Sequence, residues 1–176
     1  MENYFRAEWS NSLVVSTAAV MAALLASFYW TLRMTRAPGL EMRVIGVSLL
    51  CITIGVIAYS YLLAPKGYLI GPDRMTIVRA LNPIVVPFDA ISGAETAGPE
   101  LFKDSIRVMG SGGFWGYYGK YQSSPLGKYY MYARKTWDLV LVRGRENYVV
   151  APEKPLEFID SLSRGILSYR SKESAK

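Results

Sequence analysis

The chain has 176 residues, a net charge of +6 and 51% hydrophobic residues. It holds no histidine and one cysteine, Cys51, which lies in an apolar run. This composition excludes an intrachain disulfide, the commonest general base and the usual zinc ligands.

The first elements in chain order are two uncharged apolar runs, 13–32 and 44–64. Each has about the twenty residues that a helix needs to cross a hydrocarbon core. The first ends in Phe28, Tyr29 and Trp30, and the second contains Tyr59 and Tyr61 near its end. Such rings suit the headgroup level, where one side of a ring is apolar and the other wet. Only 33–43 separates the runs, so they read as a transmembrane hairpin. A signal peptide does not fit, because the tail 1–12 has one arginine against two glutamates and the apolar run is too long.

From Gly67 onward the pattern changes to short strands: 68–70, 75–78, 84–88 and 105–109, then 129–133, 139–142 and 147–150. The segment 71–73 (GPD) supplies a turn, and 92–99, rich in small residues, reads as a linker. Segments 135–138 and 143–146 suit hairpin turns. A helix closes the domain, with Pro155 in its first turn and an apolar stripe at Leu156, Ile159, Leu162 and Ile166. The expected organisation is a hairpin over 1–66, a domain over 67–170 and a flexible polar tail over 171–176. The fold class is α+β: two transmembrane helices, then a bent barrel of about seven strands capped by a C-terminal helix.

The tract 110–121 (GSGGFWGYYGKY) is the most unusual in the chain. It is not a dinucleotide fingerprint, which needs its glycines to open a helix. Glycines here allow bends or bulges, and the aromatics pack across strands or meet a lipid interface or a partner. Arg107 and Arg134 adjoin the tract and offer anchors for an acidic partner or a lipid phosphate. The candidate interaction surface is therefore Arg107, Phe114, Trp115, Tyr117, Tyr118, Lys120 and Arg134. Acidic residues are scattered, no Ser/His/Asp set exists, and neither a catalytic site, a metal nor a cofactor is expected.

Four segments, 84–91 (IVVPFDAI), 107–119 (RVMGSGGFWGYYG), 132–134 (YAR) and 148–159 (YVVAPEKPLEFI), resemble the bacterial pleckstrin-homology (PH) domain family. The resemblance covers most of the chain after the apolar runs, and the family often carries an N-terminal transmembrane hairpin. It implies a seven-stranded bent barrel with a capping helix and no catalytic activity. Phosphoinositide-binding PH domains use a basic loop between their first two strands, and 71–74 here has only Arg74. The expected function is thus a membrane-tethered interaction or scaffolding module. The alternatives are a lipid-headgroup-recognition domain and an enzyme using scattered Asp, Arg and Tyr residues. Expected partners are the bilayer, a protein of unknown identity and a second copy of the chain, with no nucleic acid. The alanines of the first run permit close helix approach. Arg33, Arg36 and Arg43 between the runs balance Arg6, Lys66, Arg74 and Arg79 outside them. The resemblance tips the expectation to a bacterial inner-membrane protein with its domain in the cytoplasm.

Overall fold

The computed structural model describes residues 3–36 and 39–173. Strand β1 (Asn3–Arg6) leads into helices α1 (Asn11–Thr35) and α2 (Leu40–Leu63). The Ser10 hydroxyl caps α1 by accepting a hydrogen bond from the Leu13 amide at 3.0 Å. Both helices are long and apolar enough to cross a membrane, and only 11% and 6% of their apolar windows are buried inside the protein. They lie side by side, and near their connection Gly46 approaches Thr35 so closely that a Cβ there would stand 2.9 Å from its Cγ2.

The rest of the chain forms β2 (Gly67–Ile70), β3 (Arg74–Val78), β4 (Ile84–Pro87), β5 (Ile91–Ala97), β6 (Ile106–Gly112), β7 (Tyr117–Ser123), β8 (Gly127–Ala133), β9 (Leu139–Gly144), β10 (Tyr148–Val150) and α3 (Pro155–Glu173). A four-stranded sheet has the order β1-β2-β3-β4, and a six-stranded sheet has the order β5-β9-β10-β8-β7-β6. The two sheets do not close into one barrel. A cluster including Tyr68, Met75, Ile77, Phe88, Phe158 and Leu162 fills the space between the sheets and α3. A second cluster lies on the opposite face of the six-stranded sheet, beneath Leu101 and Phe102. β9 joins both: Val140 and Val142 enter the first cluster, Leu139 and Leu141 the second. Burial on both faces explains its unbroken apolar run. Tyr68 ties the sheets together, donating to the Tyr132 carbonyl at 2.7 Å and accepting from the Ala151 amide at 3.0 Å.

Several elements differ from expectation. The tail before the first apolar run contributes β1, which pairs antiparallel with β2 from Asn3↔Ile70 to Arg6↔Gly67. Phe5 supplies the reason, since it buries its ring edge-on against Phe158 at 5.3 Å. The supposed linker forms β5, held to β9 with a register shift between Ile91 and Gly93. The described residues contain ten strands, nine of them after the apolar helices. Segment 135–138 is not a hairpin turn, because β10 lies between β8 and β9 and runs parallel to β8. The buried Lys135 anchors that segment through Glu8 at 3.5 Å and Asp138 at 3.6 Å. On α3 the buried stripe is Phe158, Leu162 and Ile166, with Ile159 partly buried, while Leu156 is exposed. The helix runs through Glu173 into the expected tail, with Arg170 and Lys172 placed favourably for the negative end of its dipole. Residues 174–176 lie outside the described residues.

Candidate functional site

The glycine–aromatic tract forms the tip of the β6–β7 ribbon, and the tip is seated between the near ends of α1 and α2. Ser111 closes the tip, donating through its hydroxyl to the Phe114 carbonyl at 2.8 Å and accepting from the Phe114 amide at 3.1 Å. From α1, the Ser16 and Thr17 hydroxyls donate to the Gly113 carbonyl at 2.7 and 3.3 Å. The Trp115 amide donates back to the Thr17 hydroxyl at 3.2 Å. From β7, the Tyr118 hydroxyl donates to the Ser60 carbonyl of α2 at 2.9 Å. Gly116 passes so near Pro65 that a Cβ would meet its Cδ at 3.2 Å.

Trp115 is the centre of this seat. Its ring meets Tyr61 of α2 at 5.2 Å and Trp9 at 6.2 Å, both edge-on, and Phe114 at 5.5 Å. Its backbone is left-handed, with φ of 62°. A bulky residue adopts that conformation at a cost of about 1–3 kcal/mol, so the surrounding contacts must hold it there. Arg134 lies over the other aromatic of the seat, with its Cζ 4.7 Å from the Trp9 ring centroid. Its side chain is buried, and burial, joined by the Arg6 charge, pushes its pKa down; among the described residues it forms no salt bridge. Among the described residues, neither Arg134 Nε nor Trp115 Nε1 finds a hydrogen-bond acceptor.

The expected surface residues divide among three places. Phe114, Trp115, Tyr118 and Arg134 belong to the seat. Strand alternation turns Tyr117 to the opposite face of β7, against the second cluster. Arg107 pairs in register with Tyr121 on that side of the ribbon. Tyr121 stacks on Tyr129 at 5.8 Å, and burial pushes its pKa up to about 12. Lys120 points away from them, its Nζ 5.4 Å from the Tyr130 ring centroid, and Tyr130 stacks on Tyr148 at 5.5 Å.

Lys120 borders a groove of about 560 Å³ whose lining includes Val108, Met109, Lys128, Tyr130 and Arg145. Arg145 is paired with Asp89 at 3.0 Å, and Glu146, also in the lining, accepts from the Tyr148 hydroxyl at 2.8 Å. Sequence reading missed the groove's Lys128 and Tyr130 and the seat's Trp9, Ser16, Thr17 and Tyr61. Trp9 had a signal, an aromatic placed just before the first apolar run. The hydroxyls of Ser16 and Thr17 had none, because their partner is nearly one hundred residues away.

The arrangement offers cations, rings and hydroxyls at the seat and along the groove. Among the described residues no group of three or more Cys, Asp and Glu is placed to hold a metal ion. A profile of bacterial PH domains matches residues 66–166, more than half of the chain. Comparison with curated proteins and with solved structures returned no match.

Proposed function

The chain belongs to the bacterial PH domain family, and from that premise we propose that it is a membrane-anchored, non-catalytic interaction module. The observation that carries this reading is the pair α1 and α2, whose apolar flanks are left uncovered while their domain-side ends are gripped by the domain. Uncovered apolar surface on this scale is costly in water and neutral in lipid. In this reading β1 and the domain lie on one side of the bilayer and Arg36 on the other. The folded unit then includes Asn3–Arg6 in addition to 67–170. Charge near the two helix ends is balanced, and membership of the PH family favours the cytoplasmic face.

Extraction of membranes at alkaline pH tests the anchoring. The full chain should stay in the pellet, and release into the supernatant would overturn it. A second reading, contact with lipid headgroups, is favoured by one observation: a buried guanidinium with no carboxylate beside it. At the level of bilayer phosphates its counter-charge comes from outside the chain. A loss of salt-sensitive preference for anionic over zwitterionic lipid in Arg134→Met would support that reading.

A further inference from the structure

Three of the four outer sheet edges are short or covered. β5 lies under α3, and Arg170 donates to the Ile91 carbonyl at 3.0 Å. β1 is overlaid at its end by the Ala7–Pro152 bridge and by the Glu153 amide, which donates to the Arg6 carbonyl at 3.0 Å. β4 has four residues and ends in Pro87, which has no donor. β6 is different. It has seven residues, pairs among the described strands with β7 alone, and shifts its register between Arg107 and Met109, so that its other edge still carries a run of open main-chain groups. Ile106, Val108 and Met109 are 62%, 59% and 67% exposed. A long, apolar, open edge is a template for another strand, and natural sheets normally blunt it.

We propose that the β6 edge binds an extended acidic segment of a partner protein by strand addition, with the groove beside it receiving that segment's side chains. The charge around the edge selects the occupant. Lys120 and Lys128 line the groove and Arg107 lies on the other face of the ribbon; all three are exposed, and none forms a salt bridge with a described residue. An added strand lies one strand spacing, about 4.8 Å, beyond β6 and two spacings from β7. Its apolar side chains therefore pack on Val108 and Met109. Its carboxylates then point to the opposite face, within reach of the long Arg107 side chain. A second copy of this chain is a poor occupant, because pairing two β6 edges brings like charges together. Main-chain pairing supplies the affinity in such complexes, and the alternating side chains supply the selectivity. This deepens the reading of the domain as an interaction module and is independent of the anchoring, since peptide binding and membrane extraction fail separately.

The probe is a fluorescent eight-residue peptide alternating valine and glutamate, compared with its valine–lysine counterpart, on the full chain in neutral detergent. The acidic peptide should bind about tenfold more tightly, weaken as salt rises, and slow hydrogen exchange at the amides of Ile106–Gly112. Arg107→Glu, at an exposed position, should reverse the preference without changing thermal stability. Val108→Pro should abolish binding of either peptide. Equal binding of both peptides, unchanged selectivity in the Arg107 variant, or protection confined to another strand would overturn the proposal. So would protection of β6 that comes from self-association or from anionic vesicles while the acidic peptide gives none.

Discussion

The two ends of the β6–β7 ribbon are built from the same kinds of residue and put to opposite uses. At the tip, Phe114, Trp115 and Tyr118 are packed against α1 and α2, and the tip backbone is gripped by Ser16 and Thr17. Further along, Ile106, Val108 and Met109 are open, and Lys120 covers only a tyrosine ring. Aromatic and apolar content does not distinguish these ends. What distinguishes them is whether the surrounding elements provide acceptors and rings at the right height. The fixed end carries a left-handed tryptophan and an unneutralised buried arginine; the open end carries neither.

The largest effect should come from breaking the ribbon between the two ends. Gly110 and Gly119 face each other in register with φ of 119° at both, and a Cβ on Gly110 would overlap the Tyr118 carbonyl oxygen. Gly110→Val should destabilise the domain by about 3 kcal/mol or more, combining a left-handed β-branched residue with a backbone clash. Denaturant titration checks this. Thr17→Val should cost less, about 1–3 kcal/mol, because it leaves the Trp115 amide without an acceptor at nearly constant shape. The loss should be seen in Trp fluorescence at the seat and not in peptide binding at β6.

Arg134→Met should act in opposite directions in two solvents. In neutral detergent, removing a buried, unneutralised charge should leave stability unchanged or raise it by about 1 kcal/mol. In anionic lipid the same variant should be less stable than the parent, which a thermal melt in both media would read.

The effect that is smallest at neutral pH belongs to Tyr121 and shows itself only in alkali. Burial raises the Tyr121 pKa from 10.0 to about 12. A raised folded-state value means the associated stability is complete below pH 10 and falls as the unfolded chain ionises first, between pH 10 and about 12. Tyr121→Phe should flatten that part of a pH–stability curve.

Legibility of these features followed the range of the interactions behind them. The two apolar helices, the β9 run and the presence of α3 rest on local pattern and were readable. β1 was not, because its tail has no strand alternation of note and depends on Phe5 finding Phe158. β5 was hidden by small residues that pair well only because β9 is buried on both faces. The insertion of β10 between β8 and β9 reverses the simple hairpin order, which no local signal encodes. The candidate residues were identified by kind but not by grouping. A one-residue step along β7 sends Tyr118 and Lys120 to one face and Tyr117 and Tyr121 to the other, and the register that decides this is a long-range property.

In the proposed reading, β1 and the domain are held together at one end of a membrane-crossing helix pair. In a Cys51→Ala background, single cysteines at the exposed positions Asn3, Lys128 and Arg36 can be challenged with a membrane-impermeant thiol reagent in sealed vesicles of known orientation. Positions 3 and 128 should react together from one side and position 36 only from the other. Labelling of 3 and 128 from opposite sides, or of all three from the same side, would contradict the claim.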